Sequence, residues 1–158
     1  MEFDPAGADL SLASLFTGWA LADELQRRLA ADGFADSRFA DGVVFQHLVA
    51  GPVTITTLSQ SLGVTQQAVS KTVADLQRRG YVTRRTDPAD SRAKQVALAD
   101  RGHAVIAAAR THRAAIDTEL RAALGDDRVE AARQLLVDVL THLGATPTLR
   151  ARAVRPPR

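Results

Sequence analysis

Gln66, Gln67, Ser70, Lys71 and Arg78 lie along one side of a helix that the spacing of Val69, Val73 and Leu76 predicts over 66–79. Thr65 stands where the cap of that helix belongs, and Gly80 where a left-handed residue would end it. A carboxamide can pair bidentately with an adenine edge, a lysine with guanine or phosphate, and a hydroxyl with phosphate. The N-terminal half of this polar side holds no acidic residue, and a basic stretch with Arg84 and Lys94 follows it. Together these residues suit contact with a nucleic acid. The helix alone decides little, because any solvated helix has a polar side and Gln, Ser and Lys are ordinary there.

The elements that must position these side chains can be read from periodicity and breakers. Before the polar helix, a short helix is expected over 56–62, capped by Thr56 and closed by Gly63. The turn between the two has Gly63 for the backbone reversal and Val64 to plug the angle between the helices. Leu58 and Leu62 then face Val69, Val73 and Leu76. From Tyr81 the apolar period becomes two, which predicts a β-hairpin with strands over 81–85 and 94–98 and a turn at 87–90. Upstream, Asp9 can cap a helix over 10–31. A second helix over 36–50 would bury Phe39, Val43, Val44, Leu48 and Val49. Downstream, a long helix over 100–124 and a last one over 128–143 are separated by Gly125-Asp126-Asp127.

Composition narrows the function classes. Apolar residues make up 46% of the 158, enough for a true core. With no cysteine, disulfides, thiolate zinc sites and thiol redox sensing are excluded. The four histidines are scattered, so no metal site is expected. No cofactor is expected either. The chain has no phosphate-cradling glycine loop or nucleophile elbow, which argues against an enzyme. Neither a signal peptide nor a membrane span is evident, so the expected location is cytoplasmic. Residues 65–101 carry eight basic and four acidic side chains, whereas 1–64 carry three and eight. Such an asymmetry suggests an anionic partner. The segment 145–158 is basic and is expected to lack regular structure; its arginines either add nonspecific phosphate attraction or are simply solvated.

The segment 56–102 closely resembles the MarR (multiple antibiotic resistance regulator) family of winged helix-turn-helix transcriptional regulators. Asp87-Pro88-Ala89-Asp90-Ser91-Arg92, followed by Val96, Leu98 and Gly102, resembles that family's wing. The resemblance implies that Arg92 enters a minor groove and that Asp90 holds it in place. A narrow minor groove concentrates negative potential and favours an inserted arginine. Read without the resemblance, the pair is a surface ion pair worth about 0–1 kcal/mol. The chain departs from the family at Ala99, where threonine is usual, and at Ser91, where a basic residue is common.

The fold class that follows is mainly α with a small β-hairpin wing, a winged helix-turn-helix flanked by N- and C-terminal dimerisation helices. The expected division is 1–35 and 101–144 for dimerisation, 36–100 for DNA binding, and 145–158 as the tail. Two-fold pairing would set two recognition helices about 34 Å apart on a pseudo-palindrome. Leu135, Leu136, Val139, Leu140 and Leu143 are candidates for that interface, or else ordinary core. The resemblance also implies release from DNA by a small aromatic or phenolic effector. Phe16, Trp19, Phe39, Phe45 and His47 are candidates to line its pocket, although aromatics at helical spacing more often form core. The expected function is a ligand-responsive repressor binding double-stranded DNA as a homodimer. The alternative is a winged-helix protein with nonspecific DNA binding or a protein-interaction role.

Overall fold

A computed structural model describes residues 7–86 and 94–145. Helix α1 spans Leu10–Leu29 and starts where the Asp9 carboxylate accepts the Leu12 N–H at 3.0 Å. That bond holds the Asp9 carboxyl below the usual range. A π-helical turn, Ala30–Phe34, ends in a chain reversal at Gly33, whose φ is 90°. Helix α2 is Asp41–Leu48, five residues later in its start than periodicity predicts. The reason is tertiary, since Asp36 and Asp41 are held by arginines from distant elements.

Strand β1, Val53–Thr54, leads directly into α3, Ile55–Leu62. The cap of α3 is Thr54, not Thr56: its hydroxyl accepts the Thr57 N–H at 3.1 Å. Pairing of Val53 and Thr54 with Val96 and Gln95 leaves Thr54 extended and so in cap geometry. Gly63, at φ 61°, closes α3. Val64 is 48% exposed and does not plug the helix angle. Helix α4, Gln66–Arg78, is capped as expected by Thr65, which accepts the Ala68 N–H at 3.2 Å. Strands β2, Val82–Thr86, and β3, Lys94–Leu98, pair antiparallel, giving a three-stranded sheet in the order β1-β3-β2.

Helix α5, Asp100–Leu124, begins directly after β3, and its first turn is held close to the start of β2. A Cβ on Gly102 would lie 2.2 Å from the Tyr81 carbonyl oxygen, so only glycine fits that approach. Helix α6, Asp126–His142, follows Gly125 and has no buried residue. The core lies among α3, α4 and the sheet, where Leu58, Val73, Leu76, Tyr81 and Val96 are fully enclosed. Each such apolar side chain contributes about 1.5–3 kcal/mol of burial. Phe39 and Val49, expected inside, are 64% and 38% exposed. Both belong to the stretch whose helix is shorter than periodicity suggests. Among the described residues, no helix is long and apolar enough to cross a membrane.

Candidate nucleic-acid interface

One face of α4 is buried through Val69, Val73 and Leu76, so the opposite face is presented to solvent. Gln66, Gln67 and Lys71 are exposed on its first turns, with Ser70 half-buried beside them. Among the described residues, Gln66, Gln67 and Lys71 make no side-chain hydrogen bond or ion pair within the chain. Thr65 is exposed at the same end, its hydroxyl engaged as the cap. Three donor-bearing side chains thus face outward from the first turns of a rigid helix. That is the arrangement direct readout of base edges needs.

The C-terminal end of α4 differs. Arg79 donates to Asp41 at 2.6 and 3.0 Å, to Asp75 at 2.9 Å and to the Asp36 carbonyl at 2.8 Å. The Arg79 and Asp41 side chains are only 10% and 6% exposed. Asp75 also pairs with Arg38 at 3.3 Å and with Arg78. These bonds, led by that from Arg79, hold the Asp75 carboxyl low. Next to this knot, the Tyr81 hydroxyl donates to Asp36 at 2.6 Å. Arg101, from the first turn of α5, donates to Asp36 at 2.9 Å and to the Arg79 carbonyl at 2.7 Å. Its guanidinium sits 4.7 Å from the centre of the Tyr81 ring. The bond from Tyr81, with Arg101 beside it, lowers the Asp36 carboxyl, while burial and Asp36 push the phenol up to about 12.

Sequence reasoning missed this knot. Its members come from separate parts of the chain, with sequence separations such as 38, 45 and 65 between partners. Only the residue types, acids at 36, 41 and 75 against arginines at 79 and 101, hinted at it.

The other expected contacts divide. Lys94 and Arg85 are exposed on the strands of the hairpin, and Arg78 is exposed while paired with Asp75. Arg84 is half-buried and donates to the Ser70 carbonyl on α4 at 2.9 Å. Asp90 and Arg92 lie outside the described residues. Of the expected pocket residues, Phe16 and Trp19 pack edge to face at 5.5 Å and are 40% and 57% exposed on α1. Trp19 and Phe39 border an open groove of about 640 Å³. A second groove of about 330 Å³, between α1 and α5, is lined by Leu21, Leu25, Phe39 and Ile116 among others. Phe45 lies in the core against Tyr81, ring centres 5.6 Å apart, and neither it nor half-buried His47 borders these grooves.

Residues 43–93, which run from α2 through α4 into the hairpin, match the model of the MarR family. Over that stretch the chain is similar to the MarR family. Beyond that stretch, the described residues share their fold with solved structures. A point variant of MepR of S. aureus, bound to an oligodeoxyribonucleotide, superposes with a TM-score of 0.63 at 19% identity, covering 86% of this chain and 99% of that one. The transcriptional repressor CouR bound to a 23-mer DNA duplex gives 0.63 at 22% identity, covering 88% and 97%. Wild-type MarR of E. coli in its apo form gives 0.63 at 24%, covering 84% and 97%. No curated protein matches the chain. In that shared fold, α4 follows the short α3, and β2 and β3 form a hairpin directly after it.

Proposed function

We propose that the protein is a MarR-type transcriptional regulator that binds double-stranded DNA as a homodimer, acting as a repressor released by a small apolar or aromatic effector. The observation that carries this reading is the outward face of Gln66, Gln67 and Lys71, unpaired among the described residues, on a helix buried along its opposite side. Polar side chains left without intramolecular partners on a rigid, capped helix are ready to exchange water for base edges and phosphates. The DNA-bound MepR and CouR folds support the same role for α4, and the likeness to CouR, a repressor, supports the sign of regulation.

Pairing with a second copy is supported by the apolar surface left uncovered. Leu12, Leu15, Phe16 and Trp19 on α1 are exposed, as are Leu135, Leu136, Val137 and Leu140 on α6. A monomer rarely leaves so much apolar surface in water. The effector reading rests on the grooves beside α1, where Trp19 and Phe39 are presented. Acting on chromosomal DNA, the protein would work in the cytoplasm.

The test is a duplex selected by the protein from a randomised pool, followed by competition with an unrelated duplex. Preference for the selected sequence, weakening steeply with salt, is the expected result. Equal displacement by both duplexes would leave only nonspecific binding. Replacing Arg92 with alanine should remove most of the sequence-specific affinity while the dimer stays folded; parental binding by that variant would overturn the wing assignment.

A further inference from the structure

Arg84 stands two residues after Val82 on β2, so both side chains project from the same face of the ribbon. Val82 is buried, 2% exposed, and Arg84 follows it inward rather than toward solvent. Its Nη2 donates to the Ser70 carbonyl oxygen at 2.9 Å, near the middle of α4. Its Nε is buried and has no partner among the described residues. Arg85, on the other face of the strand, is exposed. From the opposite side the position is fixed by the pairing of Arg84 with Val96 in the sheet.

A guanidinium turned inward in this way is poorly placed to reach a phosphate, because its Nε is closed to water and its Nη2 is committed to the helix. It joins the middle of α4 to the strand that leads into the wing. We infer that Arg84 is a positioning residue, a strap that sets the angle between α4 and the wing and therefore the register between the two grooves they read. This rests on the DNA-binding reading above and gives Arg84 a role other than contact with DNA.

Two measurements test it. The sequence has no cysteine, so spin labels can be placed through Gln77→Cys and Thr86→Cys, both at exposed positions, with labelled protein diluted into unlabelled. Without any DNA, Arg84→Met should broaden the distance distribution between the labels while circular dichroism shows a folded protein. An unchanged distribution overturns the strap, and so does global unfolding of both Arg84→Met and Arg84→Lys, which would make the residue a general fold determinant. Against the selected duplex, Arg84→Lys keeps the charge but should lose at least about tenfold in affinity, with the slope of log K on log salt unchanged in both variants. A phosphate contact would instead flatten that slope by about 0.9 in Arg84→Met, and that result also overturns the proposal. If the parent protein shows no sequence preference while the label distances broaden, the DNA reading fails and the strap stands.

Discussion

The two ends of α4 are built on opposite principles. At its N-terminal end Gln66, Gln67 and Lys71 are exposed and unpaired among the described residues, while Thr65 is engaged as the cap. At its C-terminal end the charged groups are paired: Asp75 with three arginines, Arg79 with two carboxylates, and Asp36 with Tyr81 and Arg101. One end leaves its donors free for a partner; the other uses them to fasten the helix to the 33–41 segment and to α5. On the DNA-binding reading proposed above, a helix that enters a groove without changing its own position needs both. Preorganisation lowers the entropy lost on binding, provided that the contacting side chains are not already occupied.

Removing one member of the buried knot should have the largest effect. Asp41→Ala leaves the Arg79 guanidinium without its main partner at 10% exposure, and a loss of about 3–5 kcal/mol in urea unfolding is expected. A loss below about 1 kcal/mol would mean that the fastening is decorative. At the free end the same kind of truncation should spare stability and strike binding. Gln67→Ala is expected to lose about 1–3 kcal/mol of affinity for the selected duplex, with unfolding changed by no more than about 0.5 kcal/mol. Lys71→Ala should weaken selected and unrelated duplexes alike and reduce the salt slope by about 1.

Tyr81→Phe removes the hydroxyl that donates to Asp36, and a stability loss of about 1–2 kcal/mol is expected. It should also change the acid limb. The folded carboxyl of Asp36 is lowered, first by that bond and then by Arg101, so its contribution is present above the unfolded value near about 3.9 and is lost as pH falls through the folded one. Melting temperatures followed from about pH 5 to 2 should therefore fall less steeply in Tyr81→Phe than in the parent. The smallest effect belongs to Arg78→Ala, whose exposed pairing with Asp75 is worth about 0–1 kcal/mol. A larger loss would extend the knot to the rim of the helix.

The reading head was legible where local rules act within a few residues. Thr65 as cap, Gly63 at a positive φ, the buried line of Val69, Val73 and Leu76, and the paired strands after Tyr81 all follow from spacing and residue type. The inward face of Arg84 on β2 could have been counted from Val82 by parity alone. Phe39 and the late start of α2 had no such local signal, because what holds that stretch comes from Arg79, Tyr81 and Arg101. The cap at Thr54 depends on a short strand pairing with residues some forty positions on.

Periodicity, caps and glycine breakers act through neighbours along the chain, so the order of residues was enough to set the order of elements and the free face of α4. That the far end of this helix is tied by ions, and that Arg84 turns inward, came from packing. Those outcomes depend on groups that meet only when the elements assemble, and no local pattern encodes which distant acid will meet which arginine.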